Sequence, residues 1–216
     1  MMKLVGQFDS PFVRRVAIAL HHYGHPFERQ VLSVFADFEA MLAINPMGKV
    51  PSLILDDGEV LFDSRAIIDF LDGEAPVERR LAPSMQPERR HVLQIEAVGI
   101  TLAEKIYERG IEHNRRAPGT SDPAWRTRLE RQITSTCSWL EDRLHGDWFF
   151  QSGFSRADLA VAVAVQYLER VLPTVESVVR YRKLYMHRSR CECLQPFDRV
   201  QDAAEEARRS GWSPET

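Results

Sequence analysis

Three short stretches in the first third of the chain carry the side chains best suited to chemistry. The first is Asp9-Ser10-Pro11-Phe12, which places a hydroxyl just after an apolar run and ahead of two arginines, Arg14 and Arg15. Serine is a favoured helix N-cap, and proline is tolerated at the first helical position because its missing N–H is not needed there. Ser10 is therefore either a helix cap or a hydroxyl that faces a ligand. The second stretch runs from Asn45 through Pro46, Met47, Gly48, Lys49 and Val50 to Pro51, a turn with a proline at the entrance to a strand. Such a proline cannot donate to a ladder; a cis Val50–Pro51 bond would leave the N–H and C=O of Val50 free to pair with an extended ligand, whereas an ordinary loop proline would not. The third is Asp63-Ser64, ahead of an amphipathic run. The exposed N–H groups and dipole of a helix N-terminus attract a carboxylate, and Asp63 is placed to pair with an ammonium beside it. An amino acid carries both groups on one carbon. Plain capping is the competing reading, since Asp and Ser are the commonest caps.

These stretches must be positioned by the elements between them. Residues 3–8 form an apolar run that reads as a strand, and residues 11–23 continue with Val13, Val16, Ala17, Leu20 and Tyr23 at helical spacing, ended by Gly24 and Pro26. A second strand is expected from Phe27 to Leu32, and a short helical or irregular crossover over 37–44. Two β-prone runs around Asp56-Asp57-Gly58 predict a hairpin, and a helix begins near Ser64 with Ile67, Ile68 and Leu71 on its apolar side. The sum is βαβ, then ββα. Residues 73–90 hold three of the 12 prolines and a run of charges, a linker composition. Everything beyond reads helical, with helices at about 88–112, 123–145, 155–172, 174–187 and 196–209. Asp122-Pro123 reads as an N-cap and first-turn pair, and Ser155 with Asp158 three residues on as a capping box ahead of a long apolar helix.

Composition narrows the function classes. The 216 residues, 44% hydrophobic and 27% charged with a net charge of -3, describe an ordinary globular protein with no broad basic face for nucleic acid or an anionic membrane. Three cysteines, two of them one residue apart, do not suggest a disulfide framework and fit a reducing compartment. The start lacks the pattern of a signal peptide and no window reads as a membrane span, so the expected location is the cytoplasm. Two clusters invite a metal but read better otherwise. His21, His22 and His25 suit a helix C-terminus and turn, and His187, Cys191 and Cys193 lack the usual zinc spacing. No metal site is expected. Trp148, Phe149 and Phe150 read as core.

The order Ser-Pro-Phe-Val-Arg-Arg, Asn-Pro-Met-Gly-Lys-Val-Pro and Phe-Asp-Ser-Arg-Ala-Ile-Ile-Asp-Phe-Leu, with helices after it, resembles cytosolic glutathione S-transferases, closest to the bacterial group with Ser-Pro-Phe at the head of the first helix. The run Phe154–Leu168 is similar to the family's buried helix. The resemblance implies an α/β thioredoxin-like domain over 1–75, a linker over 76–90, and an all-α domain over 91–216 that forms the electrophile pocket. It implies that the Ser10 hydroxyl faces the glutathione sulfur, that the backbone of Val50 beside a cis Pro51 pairs with the cysteinyl unit, and that Asp63 and Ser64 hold the γ-glutamyl end. Phe12, beside Ser10, either brushes the ligand or packs in the core. Tyr107 falls where the family builds its electrophile pocket, with a surface or dimer role as the alternative.

The activity implied by the resemblance is that of a homodimeric transferase, which activates glutathione, as cosubstrate and with no other cofactor, for attack on small hydrophobic electrophiles. The alternative is a non-catalytic module of the same fold that binds glutathione or a protein. Two departures from the family pattern bear on this choice. Residues 31–48 contain no Lys, Arg or His to hold the glycyl carboxylate, which leaves Lys49 as the nearby candidate. Relatives that work as thiol transferases carry Cys where this chain has Ser10, which argues against disulfide exchange through a resident thiol.

Overall fold

The structure is a computed structural model that describes residues 1–173 and 179–201. The described residues form two compact units: Met1–Arg80 together with 194–201, and the segment Leu81–Cys193.

The first unit is built on a four-stranded sheet. Its elements are β1 (Met2–Val5), α1 (Pro11–Tyr23), β2 (Phe27–Gln30), α2 (Phe38–Leu42), β3 (Ser52–Ile54), β4 (Val60–Phe62) and α3 (Ser64–Glu74), with a 3-10 turn at Val77–Arg79 after them. The strand order is β2-β1-β3-β4, with β1 parallel to β2 and antiparallel to β3, and β3 antiparallel to β4. A parallel pair needs a crossover, and α1 supplies it. This is the thioredoxin-like arrangement. The first strand stops at Val5 rather than reaching Phe8, because Gly6 turns the chain at φ 129°, a region closed to most L-residues. The hairpin between β3 and β4 turns at Gly58, φ 93°, with Asp57 accepting the N–H of Glu59 at 3.0 Å.

Helix α1 is the centre of this unit. It opens on Ser10 and Pro11 and closes on Gly24 in the left-handed conformation. Ten of its 13 residues are buried, Arg14 and Arg15 among them, so its surroundings reach well beyond one apolar stripe. One cover comes from far along the chain. The last described helix, α8 (Gln195–Asp198), belongs to this unit; Arg14 Nε donates to the carbonyl of Val200 at 3.0 Å, and the Arg14 guanidinium lies 5.7 Å from the ring centre of Phe197. Sequence alone places this segment with the helical domain, because nothing local marks its return.

The second unit contains α4 (Glu88–Asn114), α5 (Pro123–Arg143), α6 (Arg156–Val171) and α7 (Arg182–Glu192). Helix α6 is apolar along its central run of Ala, Val and Leu, and 13 of its 16 residues are buried. At Gly99 of α4 an added Cβ would lie 3.0 Å from the main chain of Ala160 and Val161, so glycine lets the two helices approach closely. The start of α6 is fixed by the expected capping box of Ser155 and Asp158, and Arg156 beside it forms a buried ion pair with Glu96 at 2.9 Å. Asp122 caps α5 by accepting the N–H groups of Ala124 and Trp125.

Of the helix expected over 174–187, residues 179–180 are helical, Tyr181 turns the chain, and α7 then runs on to Glu192 and stops short of Pro196; residues 174–178 lie outside the described set. The expected helix over 196–209 is seen only at its start in α8, and residues 202–216 lie outside as well. Trp148, Phe149 and Phe150 are all half-buried rather than core. They lie in an irregular stretch before α6, where the rings of Trp148 and Phe149 meet the buried His187 edge-on, so they roof the core instead of filling it.

Candidate active site

The strand registers decide where the three informative stretches end up. Val5 pairs with Ser52, and Ser52 pairs with Phe62. The loop to Ser10 leaves from Val5, Pro51 precedes Ser52, and Asp63 comes directly after Phe62. All three stretches are therefore gathered at one end of the sheet, although they are spread over more than fifty residues of sequence.

Ser10 is half-buried, with φ −74° and ψ 123°, and its carbonyl accepts the N–H of Arg14 at 2.9 Å. Its Oγ accepts the N–H of Val13 at 3.5 Å, beyond the usual 2.7–3.2 Å of a well-formed bond. The hydroxyl is thus held only loosely as a cap. Phe12 is half-buried, neither a core residue nor free of the fold.

The second stretch is shaped by Asn45, which is 1% exposed. Its amide donates to the carbonyl of Lys49 at 2.8 Å while its Oδ1 accepts the N–H of Met47 at 3.0 Å, closing the turn. Gly48 stands at φ 60°, where a Cβ would strike the Phe38 ring at 2.6 Å. The Val50–Pro51 peptide is cis. Among the described residues neither the N–H nor the C=O of Val50 has a partner. The Lys49 side chain is exposed.

Gly6 joins the first two stretches. A Cβ there would lie 2.6 Å from Cγ2 of Val13 and 3.0 Å from Cβ of Val50, so its bare backbone lets the start of α1 and the turn before β3 close on each other. Sequence alone does not single out Gly6, since a lone glycine inside an apolar run signals only a bend or close approach.

In the third stretch Asp63 has φ 66° and ψ 128°, outside the allowed regions for a residue with a side chain. Strain of this kind is concentrated at functional sites. Its carboxylate is exposed, accepts the N–H of Arg65 at 2.7 Å and faces the Arg65 guanidinium at 3.6 Å. Ser64, the first residue of α3, is 3% exposed, and its Oγ accepts a hydrogen bond from Arg15 Nη1 at 3.0 Å. Arg15 is itself 2% exposed. This contact ties the first stretch to the third. Sequence reasoning misses it because an arginine on a helix normally reads as surface, and its partner lies 49 residues away.

Tyr107 stands apart from these residues in the chain and belongs to the second unit. It is half-buried on α4, where burial raises its phenol above the ordinary range, partly countered by Arg115. The histidines near the end of α1 have other duties. His22 places Nε2 3.1 Å from the Arg79 carbonyl and accepts the Arg79 guanidinium on its own carbonyl; burial holds the imidazoles of His21 and His22 below their usual pKa. Among the described residues no group of three His, Cys, Asp or Glu side chains is arranged for a metal, and no helix is long and apolar enough to cross a membrane.

Known proteins share this layout. Residues 4–83 match the family model described as glutathione S-transferase, N-terminal domain, and residues 123–190 the one described as glutathione S-transferase, C-terminal domain. The chain is 34% identical over 183 residues to the uncharacterized GST-like protein YibF of Escherichia coli K12, a match covering 80% of this chain and 85% of that one. It is 37% identical over 94 residues to the maleylacetoacetate isomerase of Pseudomonas aeruginosa, covering 41% of this chain and 43% of that enzyme. Among solved structures, a glutathione S-transferase of Methylobacillus flagellatus KT with glutathione bound superposes with a TM-score of 0.88 at 27% identity, over 94% of this chain and 100% of that one. A glutathione transferase family member from Pseudomonas fluorescens Pf-5 with bound glutathione gives 0.85 at 26% identity, over the same shares. With both halves matched by family models and a relative aligned along most of its length, the chain belongs to the glutathione S-transferase family.

Proposed function

We propose that the chain is a serine-type glutathione transferase, in which the Ser10 hydroxyl stabilises the glutathione thiolate for attack on a small hydrophobic electrophile. The observation that carries this reading is the convergence of Ser10, Val50 and Asp63-Ser64 at one end of the sheet, with the Ser10 hydroxyl only loosely engaged by its own helix.

In this reading the free backbone groups of Val50, next to Pro51, pair with the cysteinyl unit as a short strand does. Asp63 accepts from the γ-glutamyl ammonium, Ser64 and the N-terminus of α3 receive the carboxylate beside it, and Lys49 is the cation nearest the glycyl end. A thiol of pKa about 8.5 must drop by ~2 units to be mostly thiolate at neutral pH, which corresponds to ~2.7 kcal/mol of preferential stabilisation. One hydrogen bond to a charged sulfur, worth ~1.5–3 kcal/mol, supplies that with the dipole of α1 behind it. The sulfur then attacks the electrophile carbon and the leaving group departs with the bonding pair. Phe12 and Tyr107 are the proposed contacts to the electrophile. Glutathione is the cosubstrate, and the chemistry calls for no other group. The protein is proposed to act in the cytoplasm as a homodimer, and a monomer alone in micromolar sedimentation runs would overturn that part.

The test is Ser10→Ala against Ser10→Thr, which keeps hydroxyl and cap. Ser10→Ala is expected to raise the thiol pKa of bound glutathione by ~1–2 units and to lower turnover on an aromatic halide at neutral pH by ~10–100-fold, at 1.36 kcal/mol per unit. Calorimetric affinity for glutathione falls much less. An unchanged rate and pH profile would leave Ser10 as a cap and favour a non-catalytic binding module, a reading to which the lack of a basic residue in 31–48 lends weight.

A further inference from the structure

The spacing of polar residues on α4 and α5 builds a cleft that the functional reading leaves unused. Thr101 and Lys105 are one turn apart on α4, and Arg128 and Gln132 one turn apart on α5 with Arg131 beside them, so each helix presents a polar stripe. Between the stripes lies a cavity of about 690 Å³, the size of a small-molecule site, whose remaining lining is Ala124 and hydroxyl residues of α5. Among the described residues no carboxylate lines it. The nearby acids are engaged, Glu108 by Lys105 at 2.8 Å and Glu130 by Arg109 at the same distance. Arg128 lies 5.9 Å from the ring centre of Trp125, and among the described residues Arg131 has neither an ion pair nor a hydrogen bond. Like charges at this spacing on a helix repel. Gln132 adds an acceptor, since its Oε1 is buried and has no partner among the described residues. Lys105 and Tyr107 stand about 200° apart around the α4 axis, so the cleft is on the other side of the helix from the proposed electrophile contact.

We propose that this cleft binds a phosphorylated small molecule carrying hydroxyl groups, at a site separate from the one assigned to glutathione. Arg128 and Arg131 present planar forks that match the oxygens of a phosphate, and Lys105, although shared with Glu108, adds a third positive charge. A phosphate supplies the countercharge that the two arginines lack. It leaves the Gln132 oxygen unanswered, because a dianionic phosphate only accepts. A hydroxyl on the same ligand donates to that oxygen, while the serine and threonine hydroxyls of α5 serve as donor or acceptor. The cavity also exceeds what inorganic phosphate alone fills. A hydrocarbon anion suits it poorly, since every lining side chain except that of Ala124 is polar and would lose water without gaining a partner.

The probes are glucose 6-phosphate, glucose and inorganic phosphate, titrated calorimetrically into the native protein at low salt. Glucose 6-phosphate is expected to bind ~10-fold more tightly than inorganic phosphate, and glucose is expected not to register. Arg128→Gln and Arg131→Gln, both at exposed positions, should each weaken glucose 6-phosphate binding ~10-fold and leave the affinity for glutathione unchanged. Gln132→Leu should bring the preference over inorganic phosphate to within ~3-fold. Sedimentation of the same samples identifies the competing occupant: if no probe binds and Arg131→Gln shifts a native dimer toward monomer, the cations serve a second copy of the chain and the proposal falls. Binding that survives replacement of both arginines, glucose binding as tightly as its phosphate, or no binding of any probe would overturn it equally, whatever the outcome for glutathione.

Discussion

The carboxylate of Asp158, fully buried at the first turn of α6, offers the most demanding quantitative test of the fold. Its Oδ2 accepts the N–H of Ser155 at 2.9 Å and the hydroxyl of Ser155 at 2.6 Å; its Oδ1 accepts the N–H of Phe149 at 2.9 Å and faces Nε2 of His187 at the same distance. Asp158→Ala removes the common acceptor of three donors: the buried N–H of Ser155, the part-buried N–H of Phe149 and the buried imidazole of His187. Each stranded donor costs about 1–3 kcal/mol, so the sum is ~3–6 kcal/mol after allowing for relaxation. For a chain of this size one kcal/mol moves the melting temperature by ~2–4 °C, which places the drop at roughly 6–24 °C. Asp158→Asn keeps one acceptor oxygen but turns an amide donor toward other donors, and it should fall between Ala and native. Thermal and guanidinium unfolding monitored by circular dichroism read both numbers, while the Michaelis constant for glutathione on folded protein stays close to native. A drop below ~4 °C would mean that the four bonds do not coexist, since even two lost donors at ~1 kcal/mol each account for that much. A large selective rise in the Michaelis constant would refute the assignment of Asp158 to stability.

The thiols give a second test. Burial, with Glu141 adding to it and Arg180 countering, pushes the Cys137 thiol up to about 12, and burial with Asp158 and Glu192 pushes Cys191 up too, whereas Cys193 is exposed. A disulfide reagent should titrate one thiol per native chain and three after unfolding; two or more fast native thiols would contradict the packing. Because both buried thiols stay neutral in the fold and ionise in the unfolded chain, stability is full below an unfolded value near 9 and is lost as pH rises toward the folded values, at ~1.4 kcal/mol per unit for each thiol. Urea midpoints between pH 9 and 10 should fall with that slope, Cys137→Ala should lessen it, and a flat profile would refute it. Finally, Gly6→Ala forces a Cβ to 2.6 Å from Val13 at φ 129°, and overpacking with backbone strain predicts a loss of ~2–5 kcal/mol by denaturant titration. A loss under ~1 kcal/mol would show that Val13 and Val50 have room to part.

How much of the molecule is legible in its sequence depends on the range of the signal. Helix α1 is legible from Ser10-Pro11 to Gly24, the hairpin from Asp57-Gly58, and the start of α6 from Ser155 and Asp158, because each is settled within three or four residues. Candidate stretches of the site are legible for the same reason: Ser10, Pro51 and Asp63 each sit at the end of an element. Their meeting at one end of the sheet is not, since it depends on the Val5–Ser52–Phe62 register, which no local pattern carries. The buried arginines are hidden more deeply. Nothing in Val-Arg-Arg-Val distinguishes a solvated pair from one whose partners are Ser64 and the carbonyl of Val200. The aromatic trio 148–150 misleads differently: bulk alone suggests core, but an irregular backbone ahead of α6 leaves the rings at the surface edge.

The return of residues 194–201 to cover Arg14 has a consequence for how the protein is made. A ribosome releases the N-terminal end first, and domains ordinarily complete themselves in that order. Here the first unit emerges with a charged side chain at the heart of α1 and no carbonyl of Val200 to receive it. A cation held away from water is costly unless its polar contacts are complete, so until residues 194–201 have been synthesised the nascent α1 lacks two of the contacts that cover Arg14, the carbonyl of Val200 and the ring of Phe197. The earliest-made half of the molecule is thus the last to be sealed, and a stop codon just before Leu194 would release a chain that keeps Leu81–Cys193 but whose N-terminal unit lacks its final wall.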